Sequence, residues 1–299
     1  MKRAVSISIG SSRRDKAVEI DLLGQRVRIE RIGTDGDMDK AAELFRQLDG
    51  QVDAFGVGGA DLAVVVAGKV YPLYSVLPMV RHVHQTPVVD GAGLKNTIEA
   101  GLAQFLEKRI PGGVRVKRVL ITAGADRWGM TTSFTSAGYE CLFGDLMFGL
   151  GLPIALHSAR GIQRLAALVM PIAGRLPFSW VYPTGEKQEE RRPKWEEHYA
   201  WASVIAGDVH YIKRHMPSFL TGKIIVTNTT TSEDVELFRR AGAAHLVTST
   251  PRFEGRSFGT NMMEAALVAA AGRGRVLMNS ELAELTARIG MEPNHQPLL

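Results

Sequence analysis

In the last third of the sequence, short strand-like segments alternate with helix-like segments, and the loops that join them are short. Strands are expected at residues 203–206, 223–228 and 244–248, and helices at residues 209–215, 233–241 and 261–271. Successive βα units of this kind indicate a parallel sheet. Ligand sites in such a sheet lie at the carboxyl ends of its strands, so the residues that follow these strands are candidates for a binding site.

The first third of the sequence contains both patterns as well. Residues 5–9, 17–22 and 27–30 alternate apolar and polar side chains and are separated by turns, which predicts an antiparallel meander. Helical spacing follows at residues 38–48, 76–84 and 94–109, with short strands between the helices. The sequence Pro111-Gly112-Gly113 ends the last of these helices and marks a predicted domain boundary.

The length of 299 residues suits two domains, each large enough to bury its own core. We therefore predict an α/β protein with a smaller α/β domain over residues 1–111, which opens with the antiparallel meander. A Rossmann-like, mostly parallel domain is expected over residues 112–299. The aromatic side chains between residues 180 and 201 are expected to cover a core edge or a subunit contact, and we expect a homo-oligomer, in the simplest case a dimer.

The charge of the chain is modest, because 36 Lys and Arg residues face 31 Asp and Glu residues. The basic residues are dispersed rather than gathered in a stripe, which argues against nucleic acid as a partner and favours a small anionic metabolite. No apolar run is long enough for a membrane span and no signal peptide follows Met1, so we expect a cytoplasmic protein without membrane contact. The single Cys141 agrees with a reducing compartment.

A possible cofactor loop follows the predicted strand at residues 119–122. Its sequence is Gly124-Ala125-Asp126-Arg127-Trp128-Gly129, and Asp145 ends the next predicted strand, where a dinucleotide fold places an acid for the ribose. Asp126 stands where a second glycine would let the backbone approach a diphosphate, and Arg127 can compensate for its charge. The predicted cofactor residues here are Gly124, Asp126, Arg127, Gly129 and Asp145; the alternative is a plain strand-to-helix turn.

Polar side chains also follow other strands of the same predicted sheet. Asn228 and Thr229 end one strand, and Arg256 lies after another, so these residues are expected at one edge, where they suit a phosphate or carboxylate. Gly-rich turns that carry an acid follow strands at residues 33–37, 56–61 and 90–94. In the last of these, Asp90 and Lys95 are candidates for an acid/base pair, with an ordinary glycine turn as the alternative.

Other kinds of chemistry find no support in the sequence. The eight His residues form no recognisable zinc pattern with acids or with Cys141, so we expect no metal site. Cys141 lies in the middle of a predicted strand, and no Gly-x-Ser-x-Gly elbow is present, which argues against a Cys or Ser nucleophile.

The segment Asp90-Gly91-Ala92-Gly93-Leu94 resembles the Asp-Gly-x-Gly segment that leads from the substrate domain to the nucleotide domain in shikimate and quinate dehydrogenases. The chain is also similar to a bacterial group labelled quinate 5-dehydrogenase. The segments that carry this second resemblance are residues 182–187, 206–208 and 255–261.

The resemblance implies an NAD- or NADP-dependent oxidation of a cyclic hydroxy acid of the quinate or shikimate type. Asp90 would be the family's catalytic acid. The family's lysine lies in an Asn-Val-Thr-x-Pro-x-Lys stretch that this chain lacks, so Lys69 and Lys95 are the candidates for it. The alternative is a non-redox binding protein or transferase-like enzyme for a phosphorylated metabolite or nucleotide, using Arg256, Asn228 and the Gly-rich loops.

Overall fold

The computed structural model describes residues 1–110, 112, 114, 116–177, 191–250, 252–253 and 256–299, with the backbone alone at residues 252–253 and 256–257. It is a two-sheet α/β structure of the Rossmann-like type, as the sequence predicts. No helix in these ranges is long and apolar enough to cross a membrane.

The first sheet contains five strands. In spatial order they are β2 (Lys16–Leu22), β3 (Gln25–Gly33), β1 (Lys2–Ser8), β4 (Ala54–Gly58) and β7 (Val88–Val89). All neighbouring strands are parallel except β2 and β3, which form an antiparallel hairpin. A separate hairpin joins β5 (Ala63–Val66) and β6 (Lys69–Pro72).

The predicted meander is wrong in the pairing of β1. This strand does not pair with β2; it lies parallel between β3 and β4. Residues 4–8 of β1 are all buried. Helix α1 (Met38–Leu48) packs on one face of the sheet, and a helix from the far end of the chain packs on the other. Because β1 is paired along both edges, it is a central strand, whereas a meander requires β1 to lie next to β2.

Two predicted helices also differ from the helices that the structure shows. Residues 76–84 form only a short 3₁₀ turn, Leu77–Val80. The amides of His84, Gln85 and Thr86 donate to the carboxylate of Asp49 instead of continuing a helix. The long helix at residues 94–109 is two helices, α2 (Ala92–Glu99) and α3 (Leu102–Arg109), separated at Gly101.

The second sheet contains six strands. In spatial order they are β9 (Glu140–Phe143), β8 (Arg118–Ile121), β10 (Val204–Gly207), β11 (Ile224–Thr227), β12 (His245–Thr248) and β15 (Asn294–Pro297). All are parallel except the edge strand β15. The chain leaves β8 toward one edge and β10 toward the other, so the loops after these two strands diverge. Such a switch point is where open α/β sheets place their ligands.

The remaining elements flank these sheets. They are α4 (Trp128–Ser136), α5 (Ala159–Ala173), α6 (Glu196–Trp201), α7 (Val209–His215), α8 (Ser232–Arg240), the short pair β13 (Arg252–Phe253) and β14 (Arg256–Ser257), α9 (Thr260–Ala271) and α10 (Asn279–Arg288).

Helix α9 belongs to the core of the first sheet, although it lies late in the sequence. Met263, Ala266 and Leu267 are fully buried there with Ala4 and Ile29 of the sheet. The core of the first sheet therefore takes residues from both sides of position 111, and the domain boundary at that position stays a prediction.

Candidate active site in the cleft between the sheets

The loops at the carboxyl ends of the two sheets face each other across a cleft of about 570 Å³. Its charged and amide-bearing lining residues are Asp61, Asp90, Lys95, Asp126, Arg127, Asp208, His210, Arg214, Asn228 and Asn261. The sheet edge at which the sequence predicts ligand-binding residues therefore forms the wall of a cleft.

Lys95 is the centre of a cluster of carboxylates in this cleft. It lies in the first turns of α2, and its Nζ is 3.1 Å from Oδ1 of Asp126 and 3.9 Å from Oδ2 of Asp61. Only 15% of its side chain is exposed. Asp126 follows β8 and Asp61 follows β4, so the cluster combines one loop from each sheet.

The three groups of this cluster differ in their pKa values. Burial alone would lower the pKa of Lys95, but the charges of Asp126 and Asp61 raise it, so the ammonium stays protonated. Burial opposes ionisation of Asp126 as well, yet Lys95 and Arg127 hold the pKa of Asp126 below its usual value. For Asp61, burial is the largest effect and raises the pKa to about 6 despite the nearby Lys95.

Asp90 and Lys95 are not an ion pair. One oxygen of the Asp90 carboxylate accepts the amide of Leu62 at 2.7 Å, and the other accepts the amide of Ala92 at 2.9 Å. Asp90 therefore orders the loop before α2, and its carboxylate lies in the cleft wall. The predicted pairing of Asp90 with Lys95 is not formed, since the carboxylates next to Lys95 are those of Asp126 and Asp61, and the catalytic role of Asp90 stays a prediction.

Lys69 lies outside the cleft lining. It is exposed on β6, and its ammonium is 5.1 Å from the ring centre of Tyr71. Nothing in the described part of the chain brings it to the acids around Lys95.

Arg127 fixes the position of the cleft wall. Its guanidinium lies 2.7 Å from Oε1 of Glu99 and 3.0 Å from Oδ2 of Asp208, and it also pairs with Asp126. Asp208 in turn accepts the side-chain amide of Asn228 at 2.6 Å. This network ties helix α2 to the loops after β8, β10 and β11. The Arg127 side chain is only 8% exposed, so its bonds are shielded from water.

Three backbone amides of the predicted cofactor loop, those of Gly124, Ala125 and Gly129, are bonded within the protein. The amides of Gly124 and Ala125 already donate to the two oxygens of Asp145, at 2.9 and 2.8 Å. The amide of Gly129 donates to the side chain of Asn96 at 3.0 Å. These three donors are thus used within the protein, and both oxygens of the Asp145 carboxylate accept amides of this loop.

The other predicted anion-binding residues divide into two groups. Asn228 and Thr229 line the cleft, but the amide of Asn228 is engaged by Asp208 and the hydroxyl of Thr229 is 2.9 Å from that of Thr250. The side chain of Arg256 lies outside the described residues.

Family models match the chain in two consecutive pieces. Residues 93–298 match a family described as Domain of unknown function (DUF8754). The chain belongs to this family. Residues 3–90 match Domain of unknown function (DUF8753), so the two matches meet in the loop of Asp90, within the cleft wall. No curated protein matches the sequence.

Several solved structures are similar to the whole chain. An NAD-dependent malic enzyme from Thermotoga maritima is 14% identical over 96% of this chain and 76% of its own, with a TM-score of 0.44. A glutamate dehydrogenase from Thermus thermophilus is 12% identical over 97% of this chain and 73% of its own, also with a TM-score of 0.44. A glucose-galactose binding protein from Geobacillus stearothermophilus is 12% identical over 99% of this chain and 97% of its own, with a TM-score of 0.40. This chain spans 65% of the length of a further malate oxidoreductase.

Arg214, which lines the cleft, and Glu99, which pairs with Arg127, are not among the predicted site residues. Asp61 has no predicted role, although the sequence already places it in a Gly-rich turn that carries an acid. Glu99 lies inside a helix and carries no signal at all, and Arg214 lies four residues after His210 on one face of α7. Among the described residues, no group of three or more His, Cys, Asp or Glu side chains is arranged to hold a metal ion.

Proposed function

We propose that this protein is an enzyme that transfers the proton of a hydroxyl group on a small polyhydroxylated metabolite bound in the cleft. The observation that carries the proposal is the position of Lys95 between Asp126 and Asp61, where the two sheets face each other. The polar side chains of Asp208, Asn228 and Asn261 line the same cleft, although Asp208 and Asn228 bond to each other and Asn261 donates to Ser6.

The pKa values assign different roles to the three groups. With a pKa of about 6, Asp61 is mostly ionised at neutral pH and is a base close to the optimum for proton transfer. It would accept the hydroxyl proton, while the ammonium of Lys95 stabilises the negative charge that develops on the substrate oxygen. Asp126 keeps Lys95 charged and in place. The proton passes from the substrate oxygen to Asp61, and no other bond changes in this step.

Oxidation of a cyclic hydroxy acid of the quinate or shikimate type is the finer form of the proposal. Its support is the resemblance of the Asp90–Leu94 segment to the dehydrogenases, together with the need of any alcohol oxidation for a group that removes the hydroxyl proton. NAD or NADP as the cofactor stays a prediction from that resemblance, because three amides of the Gly124 loop are already bonded within the protein.

A phosphorylated metabolite or nucleotide is less well supported as the ligand. Four carboxylates line the cleft, and two of its cations, Lys95 and Arg127, are already paired with acids. A phosphate dianion in this cleft would meet like charges at short range.

The proposal is tested by turnover of quinate and shikimate by the purified protein, with NAD⁺, with NADP⁺ and without either. Absorbance at 340 nm reports oxidation, and mass spectrometry of the substrate reports any other change. We expect the variants Lys95→Met and Asp61→Asn to lower turnover at least about 100-fold. The exposed Lys69→Met is the matched control and should keep full turnover. Equal rates in Lys95→Met and Lys69→Met would refute the proposal.

A further inference from the structure

Among the described residues that line the cleft, three carry a fixed positive charge: Lys95, Arg127 and Arg214. The first two are committed to carboxylates of the protein. Arg214 has no carboxylate partner in the described part of the chain, and its Nε is buried without a hydrogen-bond acceptor there. We propose that the guanidinium of Arg214 binds a carboxylate group of the substrate.

The position of Arg214 is fixed by the fold. Helix α7 begins directly after β10 at the switch point of the second sheet, and Arg214 lies in its last turn. The carbonyl oxygen of Arg214 accepts the amide of Arg192, which holds the end of the helix. His210 is one turn earlier and lines the cleft with Arg214. A buried donor without an acceptor is unfavourable, and a carboxylate oxygen would satisfy it.

The charge around this helix favours a carboxylate over a phosphate. Tyr211, next to His210 on α7, lines the same cleft as Asp126 and Asp208; burial and then these two charges raise its pKa, while Arg214 lowers it. The same carboxylates would repel a dianion more strongly than a monoanion. One guanidinium can hold a carboxylate through two parallel hydrogen bonds.

This inference rests on the proposed function and adds the residue that binds the carboxylate group of the hydroxy acid. The cleft would take a hydroxy acid whose carboxylate lies on Arg214 and whose reacting hydroxyl lies at Lys95 and Asp61. Because the two ends are held by different sheets, Arg214 would select acids over neutral polyols and would not take part in proton transfer.

The test compares acids with their neutral methyl esters by isothermal titration calorimetry. The probes are quinate, shikimate and lactate, each with its methyl ester, and the proteins are the wild type, Arg214→Gln and Arg214→Lys. Arg288→Gln is the matched control, since Arg288 is an exposed arginine that also ends a helix. We expect Arg214→Gln to raise the dissociation constant of the best acid about 10- to 100-fold, and that of its ester less than about twofold.

Arg214→Lys keeps the charge but loses the paired hydrogen bonds, so it should fall between the wild type and Arg214→Gln. Equal losses for acid and ester, no preference of the wild type for an acid, or no binding of any of the three acids would each overturn the assignment. The proposed function fails separately. If Lys95→Met and Asp61→Asn keep full turnover while binding of the acid still requires Arg214, the carboxylate-binding role of Arg214 is supported and the proton-transfer role of Lys95 and Asp61 is refuted.

Discussion

Glu264 should make the folded protein less stable as the pH rises. It lies on α9 and is 3% exposed. Its carboxyl group accepts, at 2.9 Å, the amide of Leu94, the residue before Lys95. Burial is the main effect on this carboxyl group, and it raises the pKa of Glu264 to about 7, against 4.5 for an ordinary glutamate. The folded state therefore holds a proton that the unfolded chain has already released between these two pH values.

The magnitude follows from the two pKa values. Below about pH 4.5 the carboxyl is protonated in both states, and the free energy of unfolding does not change with pH through this group. Between about pH 4.5 and 7 the free energy of unfolding falls by about 1.4 kcal/mol per pH unit, and above that the loss is complete at roughly 3 kcal/mol. In Glu264→Gln the group is neutral at every pH, and its carbonyl oxygen can still accept the Leu94 amide. The stability of the variant relative to the wild type should rise by roughly 3 kcal/mol from pH 4.5 to 8.

Urea unfolding, followed by circular dichroism at half-unit steps between pH 4.5 and 8, measures this difference. Any constant effect of the amide cancels, because only the change with pH is predicted. Glu281→Gln is the control: Arg275 holds the pKa of Glu281 down to about 2, so its carboxylate is ionised over this whole range in the folded state, and above about pH 5 in the unfolded chain as well. Its stability relative to the wild type should be flat above about pH 5. A flat difference for Glu264→Gln would refute the reasoning.

Three further predictions concern the cleft. Turnover should rise with pH around a midpoint near 6, because only the ionised form of Asp61 accepts a proton; a rate independent of pH from 5 to 8 would contradict that role. Arg127→Met leaves the fully buried carboxylate of Glu99 without its partner, so urea unfolding should show a loss of about 3–5 kcal/mol, and a loss below about 1 kcal/mol would argue against the network. Lys69→Ala should leave both the ligand dissociation constant and turnover within about twofold of the wild type, since the side chain is exposed on β6 and lies outside the cleft lining.

Much of the second sheet could be predicted from the sequence. The strands β10, β11 and β12 and the helices after the first two lie within a few residues of their expected positions. Each of these elements shows its period over neighbouring residues, and its ends are marked by local signals. Asp208 and Thr231, for example, cap the helices that follow them with their own side chains. Such signals depend on contacts a few residues apart, which a single sequence displays.

The pairing of distant charges could not be predicted in the same way. The sequence spacing suggests Asp90 for Lys95, which is five residues away, whereas the structure pairs Lys95 with Asp126, 31 residues further along the chain. Likewise, the Gly124 loop looks like a phosphate site until Asp145 is seen to take its amides from 21 residues away.

The sequence by itself determined the α/β class, the parallel order of β10, β11 and β12 and the turns that carry polar side chains. Only the tertiary structure decided that β1 is a central strand, that α9 returns to the first sheet, and that Lys95 meets Asp61 and Asp126. The physical reason is one of distance. Secondary structure follows from hydrogen bonds and side-chain spacing within a few residues, whereas the cleft forms where two separately built sheets bring their loops together.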